Sequence, residues 1–377
     1  MTHFKAFRLA VCAAFCLLGL GVSAFANAQL YSITELGTLG GTTSTALDIN
    51  NLGQVVGDSF TAANPHNGQH ATLWYGNTIT DLGTWGGNYS TASAINNRGQ
   101  VVGWGASSDN SRNVGTLWDG DVMTDLGGIT LEYPSSRAEG INDAGWVVGR
   151  AREPSGNVDH AFVWDGSTMT ELGTTGGSWG GALAINNANQ IVGYDSNSTE
   201  FWAMLWDGTT ATNLGNLGGS SIAYDINNGG QVVGSSYNDD FSQRHAALWD
   251  GGTIVDLGTL GGSFSECMGI NNRGQIVGYS STIGDTGNSR ATLWNGSTIF
   301  DLNTLLDSSG AGWTLFQARA INDHGQIVGT GINGLGQQRG FMLNPIPEPE
   351  TYAMLLAGLG LMAFWGRRRR QNETAAA

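Results

Sequence analysis

One phrase, Ile-Asn-Asn-x-Gly-Gln-Val-Val-Gly, is written seven times along the 377 residues, with its isoleucine at 49, 95, 141, 185, 226, 270 and 321. Two companion phrases travel with it. The first, x-Leu-Trp-Asp-Gly, places Trp at 74, 118, 164, 206, 249 and 294, with Leu343 in the seventh slot. The second, Thr-Asp-Leu-Gly-Thr-Leu-Gly-Gly, places Leu at 36, 82, 126, 172, 214, 257 and 302. A unit repeated at this period cannot bury its apolar face alone and must pack on copies of itself. The order of the phrases separates an open array from a ring. The chain begins with a lone copy of the last phrase, around Leu36, and ends with a unit, Ile321 to Leu343, that lacks one. An open array would need atypical polar caps. A ring that pairs the N-terminal strand into the last unit uses the spare strand and leaves no unit incomplete.

Each unit reads as four short strands. Asn-Asn-x-Gly between apolar runs signals a hairpin whose last turn residue takes a left-handed conformation. That residue is Gly53, Gly99, Gly145, Gly230, Gly274 and Gly325, and its one exception, Asn189, is the other residue that tolerates positive φ. The Val-Val or Ile-Val pair that follows puts one β-branched side chain on each face of its strand, so both faces are expected to be buried. Asp-Gly turns the third strand into the fourth. No part of the body shows sustained helical periodicity. The expected fold is all-β: a seven-bladed β-propeller closed by the N-terminal strand, with a C-terminal transmembrane-type helix.

Charge narrows the partners. Only 12% of residues are charged, and residues 29–344 carry 28 carboxylates against 10 arginines, a net −18. Such a body repels phosphate, so no nucleic-acid partner is expected.

The two ends read as addresses. Residues 1–28 join a basic start (Lys5, Arg8) to an uncharged apolar stretch and Ala26-Asn27-Ala28, the three-part form of a secretory signal peptide. Cys12 and Cys16 would leave with it, and Cys267 alone cannot form an internal disulfide. The 29–344 body is followed by a Pro-Glu-Pro linker at 345–350 and an apolar segment with an arginine cluster at 351–370. Residues 371–377 read as a disordered tail. The sixteen uncharged residues 351–366 rise about 24 Å as a helix, short of the ~30 Å hydrocarbon layer. Arg367, Arg368, Arg369 and Arg370 hold that end in the cytoplasm.

This tail, with Pro347, Glu348 and Pro349 ahead of the apolar stretch and Arg367 to Arg370 behind it, resembles the PEP-CTERM sorting signal, with Ile346 where valine is usual. The resemblance implies recognition by an exosortase-type membrane protease in a Gram-negative bacterium that makes exopolysaccharide. It also implies a transient hold on the inner membrane through the tail, and a final place at the cell surface or outside the cell. The body resembles the HAF-repeat family of extracellular repeat proteins: His160-Ala161-Phe162-Val163-Trp164-Asp165-Gly166 carries the naming tripeptide, and His70 and His245 fill its first slot in other units. That resemblance implies secretion and a propeller-like fold, without a defined activity.

No catalytic, metal or cofactor motif is credible. Gly176-Gly177-Ser178-Trp179-Gly180 fits the nucleophile-elbow pattern, and Gly329-Thr330-Gly331-Ile332-Asn333-Gly334 a dinucleotide pattern, but neither precedes a helix. Asp239-Asp240 could hold a loose Ca²⁺, although a solvated loop is the better reading. The seven asparagines at 50, 96, 142, 186, 227, 271 and 322 are expected to close their turns, or else to form a polar ring around a central channel. Function is sought where the repeat breaks. Trp85, Trp104, Trp146, Trp179, Trp202 and Trp313 lie outside the repeated slot. Trp85 and Trp179 share the loop after strand four, where an aromatic ring can stack on a sugar. Trp313 and Asp307 mark the longest insertion, Asn303 to Arg319, as a possible rim site. The expectation is a non-enzymatic surface or matrix protein with extracellular polysaccharide as its partner. The rivals are a glycan hydrolase or lyase drawing on Arg137, Glu139, Arg150, Arg152 and Glu153, and a spacer without ligand.

Overall fold

The computed structural model describes residues 29–347 apart from 64–67, 131–134, 154–157, 198, 209 and 285–288. Two compact units are distinguished, and residues 31–345 make up the larger. Among the described residues its regular structure is all β except for two short 3-10 turns, Leu302–Leu305 and Ser308–Gly310. No helix among the described residues is long and apolar enough to cross a membrane. The apolar segment 351–366 and the signal at 1–28 lie outside the described residues.

After β1 (Tyr31–Leu36), the first repeat forms β2 (Gly40–Ile49), β3 (Val55–Thr61), β4 (Gln69–Tyr75) and β5 (Thr78–Asp81), antiparallel and in sequence order. The next five repeats copy this plan. The seventh supplies three strands, Thr314–Ile321, Ile327–Ile332 and Gln338–Pro345, and β1 is the fourth. β1 lies antiparallel to the last strand from Tyr31 opposite Pro345 to Leu36 opposite Gly340, with Ile33 opposite Leu343. The strand thus runs one residue past the 344 boundary expected from sequence.

The strands do not separate into seven sheets. Five sheets have four strands, and the fifth and sixth repeats fuse into one of eight. The join is a single parallel bridge, Arg244 to Phe264, where the third strand of one repeat meets the first strand of the next.

The turn expectation holds in detail. Gly53, Gly99, Gly145, Gly230, Gly274 and Gly325 have φ between +74° and +88°, and Asn189 has +63°. The paired β-branched residues are buried on both faces, from Val55 and Val56 to Ile327 and Val328. The glycine after each pair has a steric reason. A Cβ at Gly57 or Gly278 would run into the carbonyl oxygen of Thr45 or Glu266 on the neighbouring strand.

The core lies between repeats, not within them. Val56 and Ala71 of the first repeat pack with Ala92, Ile95, Val101 and Trp118 of the second. Leu36 and Val328 of the last sheet pack with Ala46, Ile49, Val55 and Trp74 of the first repeat. The repeated tryptophans stitch the same seams: the Nε1 of Trp118, Trp206 and Trp294 donates to the carbonyls of Leu82, Gly173 and Leu257 in the preceding repeat, at 2.8, 2.7 and 3.1 Å.

Candidate functional site

The hairpin asparagines close their turns as expected, and they also line a common cavity. In each turn the side-chain oxygen accepts from the backbone N–H groups two and four residues on, as Asn96 does from Arg98 and Gln100 at 3.0 Å. The amide nitrogen donates to the backbone carbonyl of the equivalent asparagine in the next repeat. The series runs from Asn50 to Asn96, Asn142, Asn186, Asn227, Asn271 and Asn322, and Asn322 donates back to Asn50. A second cycle runs one residue later. The backbone N–H of Asn51, Asn97, Asp143, Asn187, Asn228, Asn272 and Asp323 each donates to the next side chain in that order, closing from Asp323 to Asn51. Both cycles line one cavity of about 190 Å³. Burial acts to raise the Asp143 and Asp323 carboxyls, but the amide groups converging on them win and hold both below the ordinary carboxylate range.

Beyond this belt lies a second cavity of about 160 Å³, and Asp48 and Asp225 line both. Each of these carboxylates joins two repeats. Asp48 accepts from Ile49 and Ile95, and Asp225 from Ile226 and Ile270, all at 2.8 Å. Burial pushes their pKa values up to about 6 and about 7 against those bonds.

The inner strand of every repeat carries a β-bulge two residues before its Ile-Asn-Asn turn, between positions such as Ala46 and Asp48 or Ala138 and Gly140. A bulge re-aims a side chain. The bulged residues are Leu47, Ser93, Glu139, Leu183, Tyr224, Met268 and Arg319, and all seven line the second cavity. The backbone is the same seven times while the side chain changes, with leucine alone appearing twice, at Leu47 and Leu183.

Two charged clusters adjoin this chamber. In the third repeat Arg150 holds Glu139 at 3.1 Å, Arg152 holds Asp159 at 2.6 Å, and Arg137 lies 4.2 Å from the Trp104 ring. Four of the five charged residues weighed for glycan chemistry, Arg137, Glu139, Arg150 and Arg152, form one patch, while Glu153 turns to His160 at 3.1 Å. On the other side Arg244 holds the buried Glu266 at 2.7 Å, and Tyr279 donates to the same carboxylate at 2.6 Å. Burial lifts the Asp58 carboxyl to about 7, partly opposed by the Arg319 charge. The buried Nε of Arg319 has no hydrogen-bond partner.

The aromatic candidates are tied into packing. The half-buried Trp85 donates its indole N–H to Thr116 at 2.8 Å, and Trp179 meets Tyr194 and Phe201 edge-on at 6.1 and 5.2 Å. Trp313 meets Phe341 edge-on at 6.5 Å. Asp307 caps a 3-10 turn by accepting from Ser309, while its own N–H donates to Tyr31 at 2.9 Å, so the long insertion clasps β1. His70, His160 and His245 sit in separate repeats and each bonds a carboxylate eleven residues on, Asp81, Glu171 or Asp256. Among the described residues no group of His, Cys, Asp and Glu could hold a metal. Sequence reasoning missed Tyr224, Arg319 and the two buried aspartates. The signal for them was the changing residue just ahead of an otherwise constant phrase.

Residues 345–370 match the PEP-CTERM protein-sorting motif. The chain therefore carries the recognition signal for exosortase processing, which marks a protein for export across the inner membrane and for sorting to the surface or beyond. Of the motif's residues Pro345, Ile346 and Pro347 are described; Glu348, Pro349 and Arg367 to Arg370 lie outside the described residues. No curated protein matches the sequence. Among solved structures the chain is similar to TolB from Acinetobacter baumannii, at 10% identity and a TM-score of 0.46, over 77% of this chain and 63% of that one. It is also similar to a putative TolB from Agrobacterium tumefaciens, at 12% identity and 0.41, over 85% of this chain and all of that one. The chain thus spans less than two thirds of the first of these.

Proposed function

We propose that the exported chain is a seven-bladed, HAF-type propeller that acts at the cell surface or in the matrix by binding exopolysaccharide, without catalysis. The seven phrases, the β1 pairing and the two hydrogen-bond cycles support the blade count. One observation carries the binding reading: an identical bulge in every repeat aims six kinds of side chain, leucine twice, into one chamber. Where seven copies agree on everything needed for packing, the inward position that differs is the one free to specify a ligand. Hydroxyl, carboxylate, phenol, guanidinium and apolar groups around one cavity suit a polyhydroxylated ring with a polar edge and an apolar face. Glycan hydrolysis calls for two carboxyl groups flanking the scissile bond, whereas of the carboxyls lining the chamber Asp48 and Asp225 are each tied to two backbone N–H groups and Glu139 is held by an arginine.

The test is retention of the full-length protein on exopolysaccharide from the producing bacterium. Filling the chamber with the Ser93→Phe, Met268→Phe double variant is expected to abolish retention. Unchanged retention refutes the chamber as the site, and release of new reducing ends by the unmodified protein refutes the non-enzymatic reading.

A further inference from the structure

The third repeat concentrates positive charge in a way its neighbours do not. Arg137, Arg150 and Arg152 are three of the ten arginines in a body with 28 carboxylates. Arg137 and Arg150 stand directly opposite each other on adjacent strands, a like-charge pairing that costs stability. In the other repeats the position of Arg137 is taken by Thr45, Thr91, Gly181, Ile222, Glu266 or Gln317, so the fold does not require a cation there.

The cations are unevenly matched. Arg150 faces Glu139 at 3.1 Å and Asp159 at 3.6 Å, and Arg152 faces Asp159 at 2.6 Å. Among the described residues no carboxylate lies within ion-pair distance of Arg137. Its Nε and Nη2 donate to the amide oxygen of Asn113 at 3.0 and 2.9 Å, once that amide is turned to offer its oxygen, and its guanidinium lies over Trp104. Burial and the neighbouring Arg150 both weaken its hold on its proton. Three cations face two carboxylates, one positive charge in excess.

Arg137, Arg150, Arg152, Asn113, Ser136 and Asp159 surround a gap of about 10 Å³, room for one oxygen-sized atom. A surplus of one charge matches a monoanion better than a phosphate monoester, which carries nearly two. The planar fork of an arginine matches the two oxygens of a carboxylate. Trp104, with Tyr89 edge-on to it at 5.5 Å, gives an aromatic wall beside that point.

We infer that this cleft is an anion subsite that takes the carboxylate of a uronic-acid residue, with one oxygen in the gap and the sugar ring toward Trp104. The inference rests on the sugar-binding reading above and names the chemistry of the sugar. Glu139 joins the subsite to the chamber, since it lines the chamber and is held by Arg150. The island also answers an electrostatic difficulty. A body this acidic repels an acidic polysaccharide at long range, but beyond about 8 Å that repulsion is screened at physiological salt, and the local pairing decides.

The experiment titrates the full-length protein with glucuronate oligosaccharides by calorimetry, beside neutral and sulfated oligosaccharides of the same length. Arg137→Met is expected to weaken uronate binding by about tenfold. Asn113→Asp supplies a permanent carboxylate to Arg137, so binding falls by a similar factor while the melting temperature holds or rises, which separates lost recognition from lost folding. Equal affinity in both variants, or binding of the sulfated but not the uronate series, overturns the inference. If the protein is retained on a neutral exopolysaccharide fraction yet ignores uronate, this inference alone fails. If it binds neither, the sugar-binding function falls with it.

Discussion

A closed cycle makes a quantitative demand that an open array does not. In a ring, the asparagine whose bond closes the circle is worth as much as any other. Asn322 and Asn96 permit the comparison because their partners match. Each accepts two backbone N–H groups at 3.0 Å, donates to a glutamine at 2.8 Å and donates to the next repeat's carbonyl at 3.0 Å. Both side chains are buried, so truncation leaves two turn N–H groups without a partner and takes one of two bonds from the next repeat's carbonyl, which keeps the bond from its own turn's glycine. At about 1–1.5 kcal/mol for each of the two N–H groups left unmet and about 1 kcal/mol for the lost bond to the carbonyl, either alanine variant should lose ~3–4 kcal/mol. The assay is urea unfolding of the purified protein in mild detergent, followed by tryptophan fluorescence, with equal m-values required before midpoints are compared. Asn322→Ala and Asn96→Ala should agree within about 0.5 kcal/mol. If Asn322→Ala costs about 1 kcal/mol less, the bond to Asn50 contributes nothing and the circle is open.

Other outcomes follow from the same structure. Gly278→Ala should destabilise by more than about 2 kcal/mol in the same assay, because its Cβ meets a backbone carbonyl that cannot move without breaking the bulge. Asp48, Asp58 and Asp225 have folded-state pKa values raised to about 6, 7 and 7, so the folded protein binds protons more tightly than the unfolded chain. Their contribution is fully present below the ordinary carboxylate pKa and is lost as pH rises through 6 to 7. The melting temperature should therefore fall between pH 5 and pH 8, and a flat profile would contradict the burial of these groups. In cells, deleting residues 348–377 should abolish the exosortase-dependent mass shift of the exported protein; an unchanged shift on mass spectrometry would mean that processing reads another signal.

Much of the architecture was legible because a repeat is its own control. Asn189 standing where six glycines stand revealed the left-handed turn, and φ at all seven positions agrees. The spare phrase around Leu36 revealed the partner of the last strand. The fusion of the fifth and sixth repeats was not legible, since it depends on one bridge between Arg244 and Phe264 outside any phrase. The chamber was missed for a related reason. Leu47, Ser93, Glu139, Leu183, Tyr224, Met268 and Arg319 run from apolar to acidic and basic, so no motif search gathers them; only the bulge, which gives them one direction, does so. The off-slot tryptophans were easier to see and are engaged elsewhere, Trp85 with Thr116 and Trp313 with Phe341.

Stability and recognition rest on different positions, and that separation accounts for the rest of the design. The body has one cysteine, Cys267, buried with its thiol pushed far up by that burial, so no disulfide holds the ring together. Six apolar clusters among the described residues each draw on two successive repeats, counting the seventh and first as successive. A repeat removed from its neighbours would expose half of two such clusters, so folding should proceed as one cooperative event rather than repeat by repeat. None of the seven bulged residues belongs to these six clusters. A substitution at Ser93 or Met268 therefore alters what the chamber presents without touching a seam, whereas a substitution at Val102 or Val233 opens one. Selection for a new ligand could move through the first set of positions at little cost in stability, and a scaffold of seven units built to one plan can carry six kinds of residue at its centre for that reason.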